Sequence, residues 1–356
     1  MEIRVVPLPE GNKKPKFTDE SQLGFGKIFT DRMFIAEWKV GQGWVDARIE
    51  PYAPFSLDPA CLVLHYAQEI FEGLKAYKWE DGSIALFRPE MNARRFNLSA
   101  ERMCMPEVPE ELFLEGIAEL VKLEADWIPS SAGTSLYIRP TMIAVEAMLG
   151  VKPSDHFYFY VILSPVGAYY AGGFNPVKIM VEDRYVRAVA GGTGEAKTGG
   201  NYASSLKAGL EAKKKGFDQV LWLDGMERRY IEEVGAMNMF FAYGNSVVTA
   251  PLEGSILNGV TRNSVINLAG DIGFTVEERK VDIDTIMADI LSGKITEAFG
   301  SGTAAVITPV GALCYKEQNI SIGSGGVGTL TRKLYDTLTG IQTGHIPDRF
   351  GWVKKL

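Results

Sequence analysis

A single lysine stands between glycine pairs in the stretch Gly191-Gly192-Thr193-Gly194-Glu195-Ala196-Lys197-Thr198-Gly199-Gly200-Asn201-Tyr202. So much glycine is costly to order, which implies unusual backbone angles or a close neighbour. Three chemistries share these residue types. Lys197 reads as a solvated surface charge, as the lysine of a phosphate-cradling loop, or as a lysine that forms a Schiff base with a carbonyl compound. The phosphate-loop motif requires Gly-Lys-Ser/Thr, and here Ala196 precedes Lys197. The stretch alone does not separate the other two.

Other residues of the chain complete a pattern. A pyridoxal phosphate site needs a lysine, an acid for the ring nitrogen, a donor for the ring hydroxyl and a phosphate cup. Lys197 is the lysine, Tyr202 is within reach of a ring hydroxyl, and Glu233 ends an expected strand before Val234-Gly235. Arg95, Thr261 and Thr303 are phosphate ligands by type. Thr261 stands as a candidate N-cap before a helix from Arg262, where anions bind well.

The elements that must position these groups fall into two halves. In the first, Met33 to Lys39 and Trp44 to Ile49 form a hairpin around Gly41-Gln42-Gly43. A second hairpin joins Leu74 to Trp79 with Ser83 to Phe87. Helices are expected over Pro89 to Met103 and Pro109 to Trp127, the latter with Phe113, Ile117, Leu120 and Val121 on one face. Strands follow at Ser135 to Ile138 and His156 to Leu163. The Gly- and Pro-containing run Ser164 to Pro176 reads as a linker. The second half has a strand from Val177, then the lysine loop. A helix follows with Asn201 as N-cap and Leu206 and Leu210 one turn apart. Gln219 to Leu223 and Arg229 to Glu233 form a hairpin around Asp224-Gly225. A last helix carries Leu330, Leu334, Leu338 and Ile341 on one stripe. The expectation is two α/β domains of the α+β type with antiparallel or mixed sheets. A small domain spans 1–165, a linker 166–176, and a large domain carrying Lys197 spans 177–356.

Composition excludes several function classes. The 356 residues are 46% hydrophobic and 23% charged, with a net charge of -7. That sign argues against nucleic acid or an anionic membrane as partner. Cys61, Cys104 and Cys314 are far apart, and His65, His156 and His345 share no ligand spacing, so neither a disulfide framework nor a metal site is expected. No apolar run follows the charges of the N-terminus, so a cytoplasmic protein is expected.

The motifs in their order resemble those of fold-type IV pyridoxal-phosphate enzymes, and most closely the branched-chain amino acid aminotransferases. They are Phe71-Glu72-Gly73-Leu74-Lys75-Ala76-Tyr77, Phe87-Arg88-Pro89 through Arg95 to Ser99-Ala100, Tyr137-Ile138-Arg139-Pro140, and Gly191-Gly192 through Lys197 to Tyr202. Then come Glu232-Glu233-Val234-Gly235-Ala236-Met237-Asn238, Gly259-Val260-Thr261-Arg262 and Gly300-Ser301-Gly302-Thr303-Ala304. The similarity runs from about Phe25 to Tyr315.

The resemblance implies a role for each matched residue. Lys197 carries the Schiff base and the shuttled proton, Glu233 pairs with the ring nitrogen, and Tyr202 bonds the ring hydroxyl. Arg95 grips the phosphate bidentately, aided by Val260, Thr261 and Thr303, and Ala304 offers its N–H to the substrate carboxylate. Phe25, Tyr66, Phe71, Tyr137 and Arg139 correspond to the substrate pocket of the first domain, with the active site between the domains. The implied reaction exchanges amino groups between leucine, isoleucine or valine and 2-oxoglutarate by a ping-pong route, in a homodimer or larger homo-oligomer. The same scaffold also serves aminodeoxychorismate lyases and D-amino acid or amine transaminases. Animal members carry a Cys-x-x-Cys where this chain has Ala305 and Thr308, so no thiol switch is expected there.

Overall fold

A computed structural model of the chain describes residues 1–167 and 173–356. Residues 168–172 of the expected linker lie outside the described residues. The chain divides into two compact units. One comprises Met1–Ala171, Ala196–Gly199 and Ile341–Leu356; the other comprises Gly172–Glu195 and Gly200–Gly340.

The first unit is built on a nine-stranded sheet. Its strand order is Arg4–Val5, Gly43–Pro51, Arg32–Lys39, His156–Val166, Ser135–Ala144, Leu74–Lys78, Ile84–Phe87, Val353–Lys355, with Glu69–Phe71 paired beside Ser135–Ala144. All these pairings are antiparallel except the first. Helices Pro89–Arg102 and Glu110–Leu123 cover one face, as their periodicity requires. Phe96, Phe113 and Phe159 meet with centroids 5.4–5.8 Å apart. Burying each ring contributes about 1.5–3 kcal/mol.

The strand from Ser135 runs on to Ala144, past the Ile138 end expected from sequence, and so passes through Pro140. Proline lacks the N–H a central strand normally donates. It is tolerated where the strand changes partners, from Leu74–Lys78 to Glu69–Phe71. At that point the Pro140 carbonyl accepts from the Glu72 amide at 2.8 Å.

The second unit has a mixed nine-stranded sheet. Strands Ile231–Val234, Gln219–Leu223, Val177–Glu182, Val306–Tyr315, Ile295–Gly302 and Met237–Tyr243 follow one another. The first of them also pairs with the last, so this part closes into a ring. Closure removes exposed edges.

Three expectations need correction. The C-terminal residues Ile341–Leu356 and the lysine segment Ala196–Gly199 group with the first unit rather than the second. The cause is hydrogen bonding: Val353–Lys355 pairs with Ile84–Phe87, and the lysine segment bonds to the strand Glu69–Phe71. The helix after the lysine is broken into Gly199–Ala203 and Leu206–Lys214. Its packed face carries Ala208 and Ala212 against Met180, Val220 and Trp222, while Leu206 and Leu210 are exposed. Small residues let this helix lie close to the sheet. Asn201 is not a cap: its amide donates to the Thr193 carbonyl at 2.7 Å, and its side-chain oxygen accepts from the Thr193 hydroxyl at 2.8 Å.

Candidate active site

The lysine loop is held by its backbone. The Lys197 amide donates to Ser99 Oγ at 2.9 Å, and the Lys197 carbonyl accepts from the Phe71 amide at 2.9 Å. The Thr198 hydroxyl donates to the Glu69 carbonyl at 2.8 Å, and the Gly199 amide donates to the Glu69 carboxylate. A Cβ at Gly199 would meet the Glu69 carboxylate, so a larger residue there would push that side chain off the loop. Lys197 Nζ lies 4.9 Å from the centre of the Phe71 ring.

Beneath the loop, Glu72 is fully buried. Its carboxylate accepts from Arg95 Nε at 2.7 Å and Nη2 at 2.8 Å, and from Asn92 Nδ2 at 2.8 Å. Burial alone would push the Glu72 carboxyl up. Arg95, with help from Lys197 and Asn92, outweighs this and holds it below the ordinary glutamate value. The Nε/Nη2 edge of Arg95 is committed to Glu72, so a phosphate would meet the guanidinium outside that edge.

Phe25, Phe71, Tyr137 and Arg139 come together in the first unit. The Arg139 guanidinium lies 4.7 Å from the Phe71 ring centre and 5.3 Å from that of Tyr137, and it donates to the Tyr137 hydroxyl at 3.2 Å. Phe25 meets Tyr137 edge to face at 4.9 Å. Gly73 makes room for this: a Cβ there would stand 2.0 Å from the Tyr137 hydroxyl. Tyr66 stands elsewhere, 41% exposed, with its hydroxyl donating to the Leu149 carbonyl.

The remaining candidates lie in the second unit. Tyr202 is half-buried on the short helix Gly199–Ala203. Glu233 is 4% exposed, and its Oε1 accepts from the Leu257 amide at 3.0 Å and from Asn238 Nδ2 at 3.4 Å. Glu233, Asn238 and Ser301 are directly paired across three neighbouring strands, so their side chains share one face. Ser301 Oγ is buried without a hydrogen-bond partner among the described residues. Thr261 is not an N-cap. The helix is Val260–Asp271, Gly259 holds the cap position without a side-chain cap, and Val260 and Thr261 form the first turn. Their N–H groups are the uncapped ones that bind anions. Thr303 and Ala304 sit in the tight turn between Ile295–Gly302 and Val306–Tyr315.

Sequence motifs alone assigned no role to Glu72, Ser99, Asn238 or Ser301, although all four fall inside the motif blocks. Among the described residues no cluster of His, Cys, Asp or Glu could hold a metal ion, and no helix is long and apolar enough to cross a membrane.

Comparison with known proteins places the chain in a family. The model of the amino-transferase class IV family matches residues 69–313. Branched-chain-amino-acid aminotransferase 2 of Bacillus subtilis is 55% identical over 344 residues, covering 97% of this chain and 94% of that protein. The branched-chain amino acid aminotransferase structure from Escherichia coli superposes with a TM-score of 0.75 at 27% identity, covering 90% of this chain and 98% of the other. The T.th. enzyme of the same name, complexed with N-(5'-phosphopyridoxyl)-L-glutamate, gives 0.73 at 29%, covering 90% and 97%. The chain belongs to the class IV aminotransferases, and among them it is a branched-chain-amino-acid aminotransferase of the fold-type IV, pyridoxal-phosphate-dependent group.

Proposed function

We propose that this chain moves the amino group of leucine, isoleucine or valine to 2-oxoglutarate in two half-reactions at one site. The observation that carries the reading is the lysine loop. Its backbone is bonded to the strand that bears Phe71, and Phe71 packs against Arg139, so a reactive amine faces an aromatic wall with one fixed positive charge. The two half-reactions require such a pair of surfaces, because leucine offers an apolar side chain and glutamate a carboxylate. The T.th. relative binds a phosphopyridoxyl-glutamate adduct, which supports glutamate as the second amino donor.

The residues present fit pyridoxal phosphate. Glu233 supplies a buried carboxylate for the ring nitrogen, and the orphaned Ser301 hydroxyl stands in the same row. The uncapped first turn at Val260 and Thr261, with Thr303, suits the phosphate. We place Arg95 at the phosphate as well, outside the edge taken by Glu72, with Tyr202 at the ring hydroxyl and Ala304 at the substrate carboxylate. When bound, pyridoxal phosphate supplies an electron sink for the carbanion formed at the substrate's Cα.

The protein's own groups do the rest. The Lys197 amine would take the proton from the substrate's Cα and hold it for return. Glu233 keeps the ring nitrogen protonated by its negative charge. The aromatic wall excludes water from the apolar substrate. We further propose a homodimer or larger homo-oligomer acting in the cytoplasm.

The test is a visible spectrum of the purified protein before and after leucine, followed by 2-oxoglutarate. The cofactor band must shift with leucine and return with 2-oxoglutarate. A band that never responds to leucine would overturn the reading.

A further inference from the structure

Glu232 and Glu233 are consecutive on the strand Ile231–Val234, so their side chains leave by opposite faces. Both are buried, at 7% and 4% exposure. An interior rarely carries two adjacent carboxylate charges without cations to match, because each loses its hydration. Among the described residues one buried cation is placed to serve them. Arg187 Nε stands 3.3 Å from Glu233 Oε2, an ion pair rather than a hydrogen bond because the N–H does not point along it. Arg187 Nη2 donates to the Ser255 carbonyl, and the Ser255 hydroxyl donates to Glu232 Oε1 at 2.5 Å. Arg187 is itself only 9% exposed.

The two acids are treated unequally. Glu233 has the guanidinium, the Leu257 amide and the Asn238 amide. Glu232 has one hydroxyl, and its Oε2 is buried without a hydrogen-bond partner among the described residues. Burial pushes the Glu232 carboxyl up, and the charges of Glu233 and Asp224 add to this, against Ser255 and Arg187.

We infer that Arg187 is a positioning residue for Glu233: from 3.3 Å its buried guanidinium orients the Glu233 carboxylate and favours its charge on the face meant for the cofactor's ring nitrogen. This rests on the reading of Glu233 given above. A purely architectural Arg187 would need only the Ser255 carbonyl; the contact with Glu233 is what connects it to the cofactor.

The experiment uses the apoprotein of the full chain, titrated with pyridoxal 5'-phosphate, for wild type, Arg187→Met, Arg187→Lys, Glu233→Gln and the double variant Arg187→Met/Glu233→Gln. The readouts are the cofactor dissociation constant and the pH at which the bound cofactor's visible band changes. Arg187 faces Glu233 directly, and Glu232, on the opposite face of the strand, has Asp224 and Arg187 as its charged neighbours. Arg187→Met is expected to weaken cofactor binding about tenfold or more and to move the band's transition, with Arg187→Lys recovering part of both. In the Glu233→Gln background the same change should add less than about twofold, because residues acting through one another do not add. Equal losses in both backgrounds, or an unchanged affinity and transition in Arg187→Met, would overturn the inference alone. If Arg187→Met does not fold, an unmoved transition in Arg187→Lys overturns it. A Glu233→Gln protein with wild-type affinity and band would sink the reading of Glu233, and this inference with it.

Discussion

The amide of Phe71 donates to the carbonyl oxygen of Lys197 at 2.9 Å, and the amine of that lysine stands 4.9 Å from the Phe71 ring. One backbone bond thus sets the distance between the proton-carrying group and the wall of the pocket. Because the loop is held through main-chain atoms of Lys197 and Gly199 and the hydroxyl of Thr198, the lysine side chain is not needed for its shape. Lys197→Ala should therefore melt within a few degrees of wild type. It should also lack the visible band of a lysine-bound cofactor and lose at least about 10³-fold in turnover. A variant that kept full turnover would remove Lys197 from the chemistry.

Glu72 tests the floor beneath that loop. Removing its charge leaves the Arg95 guanidinium buried and poorly paired, which costs about 3 kcal/mol for a broken interior pair. The sign with pH follows from the direction of the shift. The folded value of Glu72 lies below the ordinary value of 4.5, so its contribution is complete above that value and is lost as pH falls through the folded one. Urea midpoints of wild type and Glu72→Gln should differ at pH 7 and converge on acidification. A gap that stayed constant down to pH 3 would contradict the assignment.

Lys75 carries the opposite signature. It is 8% exposed, and burial pushes its ammonium down to about 8. Between about 8 and the ordinary 10.5 the unfolded chain binds the proton that the folded chain has released, so stability rises with pH across that window. Below it both states are charged, and the folded state bears the full burial cost. Lys75→Met should therefore stabilise the protein at pH 7, with the gain shrinking from pH 8 to pH 10. Midpoints of denaturant unfolding at pH 7, 8, 9 and 10 check this; an equal gain at every pH would contradict a lowered value for Lys75.

Much of this was legible in the sequence, and the reasons differ by residue. The helices Pro89–Arg102 and Glu110–Leu123 follow apolar spacing that packing does not override. The strand through Pro140 was hidden because proline normally ends a central strand. The exposed Leu206 and Leu210 misled because apolar spacing does not say which face a sheet will accept, and here the sheet accepts alanine. Lys197 and Glu233 stand out as candidates from motif context alone. Arg187 was not, since nothing local to it in the chain signals that it meets Glu233, 46 residues on.

On the proposed reading, Arg139 is the residue that lets one pocket accept two unlike substrates. A wholly apolar pocket would bury the glutamate carboxylate unpaired, at a cost far above what apolar contacts return. The guanidinium stacks between Phe71 and Tyr137 and donates to the Tyr137 hydroxyl, so with leucine bound its flat faces still have partners. Its charge also acts on Glu69, whose carboxyl burial pushes up while the Gly199 amide and Arg139 pull it down. With glutamate bound, the fixed charge and planar fork meet the carboxylate. A charge-assisted hydrogen bond contributes about 1.5–3 kcal/mol, or about 10–100-fold. Arg139→Met should lower single-turnover kcat/KM for glutamate by that factor and for leucine by less than about fivefold. Both half-reactions are read from the same band in the pyridoxal form. Equal losses for the two amino acids would mean that Arg139 only supports Tyr137 and Phe71, and that the glutamate carboxylate finds its cation elsewhere.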